Sequence, residues 1–150
     1  MRPSFRLTIL AALATAACGG GAKTAADSMA GMPMPSAAAT LNGPMEPAAG
    51  GKVVEITMTT DDKGNYFTPA EIEANPGDVL RYKLVIGVHN VNFLADSNPG
   101  KAGLPPASAL LQLPGQTHDI AVSMAEGKYF FQCDPHAALG MKGHLKVAKK

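Results

Sequence analysis

The run Cys133-Asp134-Pro135-His136-Ala137-Ala138-Leu139-Gly140-Met141 puts a thiolate, an imidazole and a thioether within nine residues of one another. A second imidazole, His89, stands far upstream. Two nitrogen donors and one thiolate make a trigonal set, and a weak axial methionine completes the combination that keeps copper accessible in two oxidation states. Little ligand movement is then needed between Cu(II) and Cu(I), so a single ion so held carries single electrons. The candidate ligands are His89, Cys133, His136 and Met141, for one copper ion.

Taken singly, each residue has a blander explanation. Cys133 alone would be a buried structural thiol, and His136 alone a satisfied surface or core histidine. Their conjunction with Met141, Gly140 and His89-Asn90 turns the balance toward a metal. Zinc fits poorly, because a structural zinc site draws four Cys or His donors and methionine binds that ion weakly. A binuclear copper centre would need a second cysteine in the loop, where residue 137 is alanine. His118 and His144 have no donor partner nearby in sequence and are read as structural or solvent-facing. No Ser/His/Asp or paired-carboxylate arrangement is visible, and a copper with its strong positions filled leaves no substrate site, so a carrier is expected and not an enzyme.

Donors so far apart in sequence must be brought together by a scaffold of strands. Residues 53–60, 78–86, 117–124, 127–132 and 143–148 are short β-branched or alternating runs. Between them lie Asp61-Asp62-Lys63-Gly64-Asn65, Asn75-Pro76-Gly77-Asp78, Asn98-Pro99-Gly100, Pro114-Gly115 and Glu126-Gly127, all suited to tight turns. No segment offers a convincing amphipathic helix. The pattern predicts an all-β sandwich or barrel, and periodicity alone stops there, since an immunoglobulin-like adhesion module would read much the same. Cys133 then falls at a strand end, where Pro135 and Gly140 suit a loop that turns sharply over one ion.

Cys133-x2-His136-x4-Met141, with His89-Asn90 upstream, resembles the cupredoxins, the blue type 1 copper proteins, and most closely their plastocyanin and pseudoazurin group. The resemblance covers residues 53–150 and implies that they fold as a Greek-key β-sandwich. It implies that Asn90 ties the two ligand segments together beside the thiolate, with Pro135 supporting the same loop. It also implies electron exchange at the exposed edge of the second histidine, His136. Ala137, Ala138 and Leu139, with Leu104-Pro105-Pro106, are candidates for an apolar rim there. Residues 92–113, rich in Pro, Gly and Ala, have no sharp counterpart in the family pattern.

Residues 1–18 carry Arg2 and Arg6, an apolar run from Leu7 to Ala17 and small residues at the end, the layout of a secretory signal. Thr15-Ala16-Ala17-Cys18 resembles the bacterial lipobox, with Thr15 where leucine is usual, and marks Cys18 for lipidation. Residues 19–52, rich in Ala, Gly, Pro and Ser, read as a disordered tether. Its Met29, Met32, Met34 and Met45 would suit Cu(I), although low-complexity composition accounts for them more simply. Cys133 is the one thiol of the expected domain, and an unpaired cysteine in an exported protein calls for a reason.

Residues 53–150 hold nine Lys or Arg against ten Asp or Glu, a balance that leaves no nucleic-acid footprint. The expectation is an exported, periplasmic, lipid-anchored monomer that exchanges electrons with protein redox partners. The alternative is a protein that stores, delivers or confers resistance to copper. A β-sandwich whose copper site is vestigial is disfavoured, because all four donors are present.

Overall fold

The computed structural model describes residues 40–149. The leader, Cys18 and the first part of the expected tether, with Met29, Met32 and Met34, lie outside the described residues. Seven strands follow one another: β1 (Val53–Asp61), β2 (Gly64–Thr68), β3 (Glu71–Ala74), β4 (Val79–Leu84), β5 (Thr117–Ala121), β6 (Gly127–Gln132) and β7 (Lys142–Val147). A 3₁₀ helix, Asp134–Leu139, stands between the last two.

One sheet has the order β2-β1-β4-β5 and the other β3-β7-β6. Each contains one parallel pairing, β1 with β4 and β3 with β7, while the remaining pairs are antiparallel. Two sheets with almost no helix among the described residues make the expected all-β sandwich. The five runs legible in sequence became β1, β4, β5, β6 and β7. The two short ones were not read as strands: β2 opens on Gly64-Asn65 and buries only Phe67, and β3 is four residues carrying two glutamates.

Alternation along the strands decides what lies between the sheets. Ile56 and Met58 of β1 point inward and are fully buried, as are Leu80 and Tyr82 of β4, Phe131 of β6 and Leu145 of β7. Each such side chain contributes about 1.5–3 kcal/mol by leaving water. Phe67, Tyr82 and Phe131 meet edge to face at 5.0–6.0 Å between ring centroids, and Phe93 packs on Phe131 at 5.3 Å. These rings fill the core in a chain without tryptophan.

The ordered chain begins before residue 53. Thr40 bridges to Thr117 and Leu41 donates its amide to the Thr117 carbonyl. Asn42 Nδ2 donates to the Asp119 carbonyl, and Asp119 N donates back to Asn42 Oδ1. The edge of β5 is therefore covered by residues that composition alone assigns to a tether.

Residues 92–113 also have a defined path. The chain returns antiparallel to the first ligand segment: His89 and Leu111 exchange both backbone hydrogen bonds, and Ser108 N donates to the Val91 carbonyl. Ser108 Oγ accepts from Val91 N as well. Polar backbone atoms of the segment that carries His89 are thus satisfied by the returning loop.

Candidate metal centre

At one end of the sandwich, His89, Cys133 and His136 converge. His89 Nδ1 lies 3.2 Å from His136 Nδ1 and 3.6 Å from Cys133 Sγ, and Cys133 Sγ lies 3.4 Å from His136 Nδ1. A triangle of that size has its centre about 2 Å from each corner, close to the bond length between a first-row metal and imidazole nitrogen. Two imidazole nitrogens and one sulfur facing a common point suit copper by donor type too.

Local backbone chemistry explains the convergence. β6 ends at Gln132, so Cys133 leaves the sheet and stands as the residue before the 3₁₀ helix. Pro135 occupies the first turn, where its missing N–H would have had no partner. Gly140 ends the helix at φ 91°, a left-handed conformation that glycine adopts without a Cβ clash. His136 N donates to the Cys133 carbonyl, Met141 N to the His136 carbonyl and Cys133 N to the Met141 carbonyl, so the loop closes on itself. Met141 is fully buried and packs in the core cluster with Cys133.

A clamp of amides fixes the loop against the upstream segment. Asn90 Nδ2 donates to Asp134 Oδ2 at 2.8 Å, while Asp134 N donates to Asn90 Oδ1 at 2.7 Å. Asn92 Nδ2 and Gln132 Nε2 donate to the same carboxylate. Burial raises the Asp134 carboxyl, but these donors outweigh it and hold it below the usual range. Asn90 thus joins the segment of His89 to the loop of Cys133 and His136, and Asp134, Asn92 and Gln132 enlarge that junction. Sequence reasoning passed over Asp134, although a carboxylate inside the ligand loop was the signal available.

Burial sets the electrostatics of the donors. His89 and Cys133 are both fully buried, whereas His136 is half-exposed. Burial pushes the Cys133 thiol up, and the Asp134 charge adds to that; the Asn90 and His136 amides, which donate toward the sulfur, pull the other way. His89 is lowered, first by burial and then by the neighbouring His136. Without a metal the pocket thus favours a neutral thiol and a neutral imidazole, and loading it displaces the thiol proton.

The surface around the donors is apolar. Leu139 is 69% exposed, and Val85, Ile86, Val88, Leu110 and Leu113 are also exposed on the segments that flank His89 and its partner Leu111. Ala137 and Ala138 adjoin Leu139 in the helix. Pro105 and Pro106, expected in this rim, line a separate cavity of about 260 Å³ with Asn42, Met45, His118 and Ile120. His118 is half-buried on β5, and His144 pairs with Glu71 across β7 and β3 at 2.7 Å; neither belongs to the cluster.

The model of the copper binding proteins of the plastocyanin/azurin family matches residues 54–148. The chain belongs to that family. Plastocyanin of Solanum crispum is 32% identical over 99 residues, spanning 63% of this chain and 99% of its own. Plastocyanin A/B of Petroselinum crispum is 33% identical over 95 residues, spanning 62% of this chain and 98% of its own. Among solved structures, pseudoazurin from Methylobacterium extorquens AM1 superposes with a TM-score of 0.53 at 28% identity, covering 65% of this chain and 76% of its own. A mutant plastocyanin of fern superposes at 0.50 with 30% identity, covering 63% and 100%. The chain is a cupredoxin of plastocyanin and pseudoazurin type, and its metal is one copper ion. No helix among the described residues is long and apolar enough to cross a membrane.

Proposed function

We propose that this cupredoxin is an exported electron carrier that holds its copper through His89, Cys133 and His136, with Met141 as the weak fourth donor. The observation that carries it is the triangle of three donor atoms 3.2–3.6 Å apart, preformed at the end of a rigid sandwich. Copper bound there supplies a one-electron couple between Cu(II) and Cu(I). The protein's part is to keep the donors from moving.

Cys133 and His89 are sealed from water, and the Asn90–Asp134 clamp holds their two segments in register. His136, half-exposed, offers the short way out for an electron. The exposed apolar side chains Leu139, Val85, Ile86 and Val88 suit brief docking of a redox partner, because apolar contact needs no fixed charge pattern. With every strong donor supplied by the chain, the site carries electrons and transforms no substrate.

The leader at 1–18 and its lipobox-like end support export to the periplasm and lipid attachment through Cys18. Such an arrangement keeps a monomeric carrier near membrane-bound partners.

The test is a visible and electron paramagnetic resonance spectrum of the whole protein after addition of Cu(II). An intense thiolate-to-copper band with narrow hyperfine splitting, lost and regained with a mild reductant and oxidant, is expected. Copper uptake without that spectrum would transfer the protein to copper storage or delivery.

A further inference from the structure

His89 presents Nδ1 to Cys133 and His136, so the role of its other nitrogen is open to inspection. Nε2 lies 3.1 Å from Thr60 Oγ1 and 3.2 Å from the Ile86 carbonyl. The Thr60 hydroxyl donates its one proton to Asn65 Oδ1 at 2.6 Å. With that proton committed, Thr60 Oγ1 can only accept from the imidazole. Two acceptors therefore face the one Nε2–H.

The arrangement is built by the β1–β2 hairpin. Thr60 and Asn65 are cross-strand partners, so their side chains stand on the same face. Thr60 N also donates to the Ile86 carbonyl, which binds the strand to the segment carrying His89. Gly87 leaves the space: a Cβ there would lie 2.5 Å from Thr60 Oγ1 and 2.6 Å from His89 Nε2.

We propose that Thr60, oriented by Asn65, is a positioning residue for His89 that keeps the proton on Nε2 and so leaves Nδ1 free as the donor toward copper. The inference rests on the assignment of His89 as a ligand. A hydroxyl that accepts from a ligating imidazole fixes its tautomer and ring angle and strengthens the opposite nitrogen as a donor. A stronger nitrogen donor favours the more highly charged oxidation state. Thr60 therefore lowers the reduction potential.

The experiment compares the copper-loaded wild type with Thr60→Val, Thr60→Ser and Asn65→Ala. Valine keeps the β-branched shape and removes the acceptor; serine keeps the hydroxyl. In the diamagnetic Cu(I) form, the His89 Nε2–H signal is expected to exchange with water about tenfold faster in Thr60→Val, the effect of losing one hydrogen bond. The potential rises in Thr60→Val, returns toward wild type in Thr60→Ser and rises by less in Asn65→Ala, which leaves Thr60 present but unoriented.

A blue Thr60→Val protein with unchanged potential and unchanged Nε2–H exchange overturns the proposal. If Thr60→Val does not fold, an Asn65→Ala protein identical to wild type in both readouts overturns it. A wild type that binds copper without the blue spectrum instead overturns the ligand assignment beneath it, so the two failures are separable.

Discussion

The thiol of Cys133 is the one group of the cluster that must lose a proton to bind copper, and burial pushes that proton on more tightly. Only a metal that repays the removal with a strong sulfur bond will enter. Cys133→Ser offers an oxygen that keeps its proton and bonds copper weakly, so the intense visible band is expected to vanish, with copper affinity falling in the same titration. Met141 is a different case, because a thioether in the proposed fourth position is a weak donor on which binding would not depend. Met141→Gln should retain copper and the visible band while lowering the potential, since the axial donor tunes the couple. Voltammetry checks this, and an unchanged potential would remove Met141 from the donor set. Both residues stand out in sequence because they lie within one loop, where close spacing puts candidate donors together. Thr60 was not legible: it lies far from every donor in sequence, and a threonine in a strand carries no sign of what its hydroxyl will meet.

At the scale of elements, the ligand loop is held by its clamp more than by its own 3₁₀ helix, which buries no residue. Asp134 receives side-chain donors from Asn90, Asn92 and Gln132, three positions on two different segments. Asp134→Ala removes all of them at once, while β6 and β7 remain paired. Copper release, followed by transfer to a chelator, is expected to quicken about 10–100-fold, the usual cost of losing an outer hydrogen-bond partner at a metal site. A rate equal to wild type would mean that the loop holds its shape unaided. The His89 segment carries its own constraint in Gly87, whose φ of 104° disfavours any side chain and whose missing Cβ leaves room for Thr60. Gly87→Ala should destabilise the protein by about 1–3 kcal/mol in denaturant melts, from backbone strain before any contact is counted. The five strands with β-branched alternation could be read directly, but the return of residues 92–113 along His89 could not. Its hydrogen bonds run through backbone atoms and Ser108, and no side-chain pattern advertises them.

Across the whole molecule, the boundary of the folded unit depends on one buried carboxylate. Asp119 is almost fully buried, and burial would raise it, yet Arg81 meets it with two bonds of 2.9 and 2.7 Å and Met45 N donates at 3.0 Å. These outweigh burial and hold Asp119 below the ordinary carboxylate range. A carboxylate lowered by folding gives stability that is complete above its unfolded value, about 3.9, and is lost as pH falls through the folded value. Asp78, lowered despite burial by the Asn75 and Lys52 amides, adds to the same window. Stability should therefore hold from neutral pH to about 5 and decline below 4, and Asp119→Asn should be less stable at neutral pH with a shallower acid decline. Residues before Val53 supply the Met45 amide on the Asp119 carboxylate and the Lys52 amide on the Asp78 carboxylate, and Asn42 exchanges two hydrogen bonds with the Asp119 backbone. A chain starting at residue 53 loses them, together with the Leu41–Thr117 and Ala48–Gly77 bonds. Against a chain starting at residue 40, it should lose roughly 2–4 kcal/mol, at about 1 kcal/mol per hydrogen bond less the entropy regained by the freed segment. Its acid decline should also be shallower, because without the Met45 amide the folded value of Asp119 lies closer to its unfolded one. Equal melts and equal acid profiles for the two chains would return residues 40–52 to the tether that their composition suggests.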